Sequence, residues 1–198
     1  MNADEVRMRA YSRALEHAVR RDSVVIDIGA GTGILSLLAC RYGARKVYSI
    51  EPTSAIEVAR ETARANGFAD RVECICALST ETRLREKADV IVSDLRGALP
   101  LFGRHLPSII DARRRFLAPG GRLIPQRDLL WAAVVEAPAD YDRLTSRWVR
   151  QHFGLNMDAA SQIATNRWKK VRIKADQLLS RPYCWSTMDY LTVASSNV

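Results

Sequence analysis

Two acids and three glycines are the residues whose types and spacing could do chemistry. Asp27 stands two residues before Gly29, and Gly31 and Gly33 follow at every second position. Glu51 closes the next β-branched run, about 20 residues past the glycines, where Rossmann-like sheets place the acid that takes ribose hydroxyls. Glycines so spaced let the chain turn at positive φ and let a ligand approach without meeting a Cβ. The spacing is Gly-x-Gly-x-Gly, not the Gly-x-Gly-x-x-Gly of dinucleotide binders. A phosphate cradle calls for backbone N–H groups, and Asp27 has the wrong sign for one. A carboxylate at that mouth suits a ligand with a cationic part, such as an amino acid moiety. Taken with Glu51, the loop describes a site for S-adenosylmethionine. The plainer alternative is a tight strand-to-helix turn with no ligand and an exposed Glu51.

These residues need a scaffold, and the flanking pattern supplies one. Residues 23–28 read as a strand leading into the glycines, and an apolar helical pattern runs from Ile34 to Tyr42, ended by Gly43. Strands are expected over 46–51, 72–76, 88–93 and from 122, with Pro119-Gly120-Gly121 as a turn. Helices are expected over 4–19, from Ser54 to Asn66 and over 101–117. Ser54 and Glu57 fit a capping box at the start of the second of these. Strands alternating with helices give a mostly parallel sheet with ligands at the carboxyl ends of its strands. Asp27, Glu51, the stretch from Cys76 to Thr80, and Ser93-Asp94 all sit at such ends.

After Pro125 the pattern changes. A strand is expected over 129–136, helices over 141–152 and 159–165, and short strands over 171–173 and 190–193. The reading is a domain over 1–125 and an appendage, or an incomplete second domain, over 126–198.

Composition narrows the class. The chain has 198 residues, 47% hydrophobic and 26% charged, which suits a globular protein with one sizeable core. No apolar run approaches membrane-span length, and the N-terminus has no signal-peptide core. Cys40, Cys74, Cys76 and Cys184 lack zinc-ligand spacing, so no metal site is expected and the cysteines read as reduced in a cytoplasmic protein. The net charge of +8 comes from dispersed arginines and lysines. That pattern favours a solvated surface over a nucleic-acid partner.

The stretch Val25-Ile26-Asp27-Ile28-Gly29-Ala30-Gly31-Thr32-Gly33-Ile34-Leu35-Ser36 resembles the first motif of the protein arginine methyltransferase family. So does Gly43-Ala44-Arg45-Lys46-Val47 leading to Glu51. Met1 with Asp4-Glu5-Val6-Arg7 is similar to the helix upstream of that motif, and Phe116 to Pro125 to the last sheet strand and its proline. Tyr141 to Met157, with Trp148-Val149 and Phe153-Gly154, is similar to the family's dimerisation arm. The resemblance implies an α/β fold, a Rossmann-like class I methyltransferase sheet, followed by part of a β-barrel with a helical arm. It also implies a homodimer.

By the same resemblance Arg7 would grip the carboxylate of S-adenosylmethionine, a task suited to a planar guanidinium. Asp27, Gly29, Gly31 and Gly33 would surround the amino acid moiety, Glu51 the ribose, and Ser79 and Thr80 the adenine. Thr80 replaces the family's acid there, although Glu81 is adjacent. The substrate loop departs further. Asp94 stands at the first of two glutamates that clamp the target guanidinium, and Gly103 at the second. Arg96 adds a charge that repels a guanidinium. Were arginine still the acceptor, Asp128 or Glu136 would have to complete the clamp. The expectation is a methyltransferase whose acceptor, protein or small molecule, is open, with Asp94 orienting or deprotonating it. The rival is a non-catalytic, cofactor-binding partner subunit.

Overall fold

A computed structural model describes residues 4–97, 99–101, 103–149, 154–167 and 171–194, without the side chains of Arg147 and Val149. Met1 and Phe153, used in the sequence reading, lie outside the described residues. The chain forms two compact units, one of residues 1–128 with 188–198 and one of residues 129–187.

The first unit opens with α1 (Glu5–Ala18), capped by the Asp4 side chain, which accepts from the Arg7 N–H at 3.1 Å. Then follow β1 (Val24–Ile28), α2 (Ile34–Arg41), β2 (Lys46–Ile50), α3 (Ala55–Ala65), β3 (Val72–Ile75), β4 (Ala88–Ser93), α4 (His105–Phe116) and β5 (Leu117–Ile124). The five strands make one parallel sheet in the order β3-β2-β1-β4-β5. Chain order runs outward from β1 through β2 to β3 and then returns to β4 on the other side of β1. That reversal opens a crevice beyond the carboxyl ends of β1 and β4.

Helices on a parallel sheet demand strands that are apolar on both faces. All five residues of β1 are buried, and five of six in β4. The core gathers Val25, Val47, Val90 and Val92 from the sheet with Tyr11, Leu15, Leu35 and Ala39 from the helices. Each large apolar side chain so buried contributes about 1.5–3 kcal/mol.

Register then sets the site. Ile28 lies opposite Ile50 on one side and Ser93 on the other. Gly29, Glu51 and Asp94 are therefore the next residues out on three adjacent strands.

Three local expectations differ from what forms. Helix α4 starts at His105 rather than near Leu101, after a loop that holds Gly97, Pro100 and Gly103. The Ser54 side chain makes no capping bond; Thr53 Oγ1 accepts from the Ala55 N–H at 3.3 Å instead. Pro119-Gly120-Gly121 lies within β5, not in a turn before it. β5 is an edge strand, and its pairing with β4 shifts register between Ala88 and Val90, which accommodates a proline and two glycines.

The chain enters β6 (Arg127–Ala132) in the first unit, crosses into the second after Asp128, and continues through α5 (Pro138–Val149), α6 (Asp158–Thr165) and a 3-10 turn at Ala175–Gln177. It returns in β7 (Tyr183–Asp189), which pairs with β6. No strand forms over 171–173. Nor does one form at 190–193: β7 ends before Tyr190, which is fully buried.

Candidate active site

The glycine loop is pinned to β2. The N–H groups of Gly29 and Ala30 both donate to the Ile50 carbonyl, at 2.9 and 3.1 Å. Gly31 N–H donates to Glu51 Oε2 at 3.1 Å. The other oxygen, Oε1, accepts from the Thr53 N–H at 3.0 Å and the Thr53 hydroxyl at 2.7 Å. Glu51 is thus buried, not the exposed acid of the ligand-free alternative, and its carboxylate is held by both neighbouring turns.

All three loop glycines lie at positive φ, and packing adds a second constraint at two of them. Gly33 sits at φ +83°, and a Cβ there would fall 2.8 Å from the Ala59 Cβ, so the glycine lets α2 and α3 close up. Gly29 sits at φ +72° with Leu95 across from it, and a Cβ would overlap Leu95 Cδ2 at 2.3 Å. A Cβ at Gly31 would meet no protein atom within 4 Å.

Asp27 is 1% exposed. Its Oδ2 accepts from Ser36 Oγ at 2.8 Å, and Ser36 Oγ lies 3.0 Å from Ser49 Oγ. Its Oδ1 is buried with no partner in the protein. Burial pushes the carboxyl up to about 7, against the opposing pull of Ser36. An orphaned buried oxygen beside a glycine loop suits a cationic ligand group, which would satisfy it and favour its ionised form.

Arg7 meets Asp94 rather than standing alone. Its Nη1 donates to Asp94 Oδ2 at 3.1 Å, and its Nε is 3.3 Å from Asp4. The Tyr11 hydroxyl is 2.9 Å from the Ser93 carbonyl and 3.1 Å from Asp94 Oδ1. Arg96 folds back onto the same group. Its Nη1 donates to Asp128 Oδ1 at 2.6 Å, its Nη2 donates to the Tyr11 hydroxyl at 3.3 Å, and Nη2 is 3.6 Å from Asp94 Oδ1. The Tyr190 hydroxyl donates to Asp128 Oδ2 at 2.6 Å. His105 packs edge-on against the Tyr190 ring with both ring nitrogens buried and unpartnered in the protein. Burial pulls it down to about 4.

Ser79 is buried and Thr80 exposed, in the loop after β3. Arg115, from the last turn of α4, donates to the carbonyls of Ser79 and Thr82, both at 2.6 Å, and pairs with Asp111. Gly103, the expected place of a second acid, is exposed at φ +71°. Sequence reasoning missed Tyr11, Ser36, Thr53, Arg115 and Tyr190. Ser36 closes the first motif but was given no role there; the other four lie outside the quoted motifs, and of these Thr53 stands two residues from Glu51. Among the described residues no group of His, Cys, Asp or Glu could hold a metal ion.

A glycine turn at the switch point, with acids on the ends of β1 and β2, defines a class I methyltransferase domain. The family described as ribosomal protein L11 methyltransferase (PrmA) matches residues 11–125. The chain belongs to this methyltransferase family, and its sheet resembles that of the protein arginine methyltransferases.

Similar proteins include a probable protein arginine N-methyltransferase 6 of Arabidopsis thaliana, 33% identical over 83% of this chain and 38% of that one. Protein arginine N-methyltransferase 6 of Danio rerio is 35% identical over 98% of this chain and 58% of its own length. Among solved structures, the Trypanosoma brucei PRMT1 enzyme–prozyme heterotetrameric complex with AdoHcy superposes at TM-score 0.87. It is 25% identical and covers 99% of this chain and 62% of that one. Arabidopsis thaliana protein arginine methyltransferase 10 superposes at 0.79 with 29% identity, covering 100% and 63%. The chain spans about half the length of the curated relatives it matches.

Proposed function

We propose that this chain binds S-adenosylmethionine in the crevice beyond β1, β2 and β4, and is the cofactor-binding part of a methyltransferase similar to the protein arginine methyltransferases. The observation that carries the reading is Glu51. It is buried, fixed by Gly31 and Thr53, and one strand away from a buried Asp27 with an oxygen to spare. When bound, the cofactor supplies a sulfonium methyl group for in-line transfer to a nucleophile. The chain supplies position and field. Glu51 accepts from the ribose hydroxyls, Asp27 faces the amine, and Arg7 offers its remaining donors to the carboxylate. Gly29, Gly31 and Gly33 shape the loop around the amino acid moiety. Ser79 and Thr80 border the adenine, on a loop that Arg115 steadies. Asp94, at the end of β4, orients the acceptor.

A second reading has its own observation. Both oxygens of Asp94 are already engaged by Arg7, Tyr11 and Arg96, which favours a cofactor-binding subunit that partners an active one. The similar Trypanosoma brucei structure is an enzyme–prozyme heterotetramer. The arm over Tyr141 to Met157 carries exposed Tyr141 and Leu155 and is our candidate for self-association. We place the chain in the cytoplasm, from its cysteine usage; no helix among the described residues is long and apolar enough to cross a membrane.

The test incubates the full-length protein with methyl-labelled cofactor and candidate acceptors, read by mass spectrometry. Label on a protein or small-molecule acceptor establishes the enzyme. Cofactor binding without transfer establishes the partner subunit.

A further inference from the structure

We propose that Asp94 and Asp128 form a guanidinium-binding site, that the chain fills it with its own Arg96, and that Arg96 thereby decides which acceptors enter. The acceptor part rests on the methyltransferase reading above; the carboxylate pair and its occupant do not.

Two carboxylates from separate elements converge on one guanidinium. Asp94 follows β4 and its side chain is 7% exposed; Asp128 is in β6 and is 15% exposed. Arg96 donates to one and lies within ion-pair distance of the other, with the Tyr11 hydroxyl as a third neighbour. Each acid is held from behind, Asp94 by Arg7 and Asp128 by the Tyr190 hydroxyl. Such backing keeps the oxygens in place whether or not Arg96 is there. A planar fork with five donors fits paired carboxylates in a way that a point-charge ammonium does not.

The charges make the site selective. Arg96 adds a second positive charge beside Asp94 and Asp128, so with Arg96 seated the pull of these two acids on a cationic acceptor is largely offset; Asp4, which also pairs with Arg7, is half exposed. With Arg96 gone, two poorly exposed carboxylates share one arginine, and that imbalance is relieved by a second guanidinium. Arg96 is thus a specificity-determining residue. Seated, it excludes guanidinium acceptors; displaced, it uncovers a site for them.

The experiment uses the full-length protein and its Arg96→Ala and Arg96→Met variants. Thermal unfolding is followed with millimolar ethylguanidinium, and with ethylammonium at the same concentration as the ionic control. Both variants should melt about 5 °C or more below the parent. Ethylguanidinium should restore at least half of that loss, ethylammonium should not, and the parent should respond to neither. Adding Asp128→Ala to either variant should abolish the rescue. If a variant does not fold alone, its refolding yield in the two cations reads the same preference. Equal effects of the cations, no rescue, or rescue surviving Asp128→Ala would overturn the site. As a second readout, Arg96→Ala should bind an arginine peptide at least tenfold more tightly than the parent, and unchanged affinity overturns the specificity role. Calorimetry with S-adenosylhomocysteine runs alongside. Its failure with the parent would remove the methyltransferase reading, while the rescue result would still decide the guanidinium site.

Discussion

Gly31 and Glu51 are joined across two strands by one hydrogen bond, from the glycine N–H to Oε2 at 3.1 Å. The acid that closes β2 is therefore aimed by the loop that closes β1. Gly31 also has open space where its Cβ would be, whereas Gly33 has Ala59. Ala at either position suffers the left-handed backbone, at about 1–2 kcal/mol. Gly33→Ala adds an overpacking penalty of about 1–3 kcal/mol. Chemical denaturation should show Gly33→Ala to be the less stable of the two. Gly31→Ala should instead show its larger effect on affinity for S-adenosylhomocysteine. Equal loss of stability would mean that the loop face is not as described.

Asp27 and His105 should pull the stability–pH curve in opposite directions. Asp27 is raised by burial from the ordinary 3.8 to about 7, so its contribution is full below pH 4 and is lost as pH rises through 7. His105 is lowered by burial from 6.5 to about 4, so its contribution is full above pH 6.5 and is lost as pH falls through 4. Between pH 4 and 6.5 the two offset each other. Asp27→Asn should leave a melting temperature that climbs with pH across that window, and His105→Phe one that falls. The limiting slope is about 1.4 kcal/mol per pH unit for one proton. Parallel curves for the two variants would contradict both assignments.

Arg115 ties the loop after β3 to α4 through two carbonyls. Its side chain is one-third exposed, so the pair with Asp111 counts for little and the carbonyl bonds for more. Arg115→Ala should raise amide exchange at Glu81 and Thr82, whose N–H groups close that turn, without changing exchange in β1. Unchanged exchange at 79–82 would show that the loop holds itself.

If the arm self-associates, polar substitutions at its exposed apolar positions should weaken the dimer without unfolding the chain. Tyr141 on α5 is 59% exposed and Leu155 is 67% exposed. Sedimentation of Tyr141→Ser with Leu155→Ser should show monomer where the parent shows dimer. A parent that is monomeric at high concentration, or a variant that remains dimeric, would count against the arm.

The sheet, and the glycine loop that meets Glu51, were legible because their signals are local. β1, β2 and β4 are short apolar runs, and the distance from Gly31 to Glu51 is one helix and one strand. Around Arg96 only the acids were legible: Asp94 and Asp128 were named, but the bonds that join them to Arg96, Tyr11 and Tyr190 link residues far apart in the chain. Arg96 was read as a charge that repels a guanidinium, whereas it is itself the guanidinium, held by Asp128 across 32 positions. Arg115 reaches carbonyls 33 and 36 positions back, and a carbonyl leaves no mark on sequence. Ser54 misled because a hydroxyl in the right place can be displaced by its neighbour, and Thr53 was already drawn in by Glu51.

Binding of S-adenosylmethionine in the crevice, on Glu51, is tested most directly by titrating the full-length protein with S-adenosylhomocysteine in a calorimeter, parent against Glu51→Ala. Two hydrogen bonds to a charged acceptor at about 1.5–3 kcal/mol each are lost with the side chain. Saturable one-to-one binding by the parent is expected, with a dissociation constant raised about a hundredfold or more in the variant. The same affinity in both proteins, or no heat from the folded parent, would contradict it.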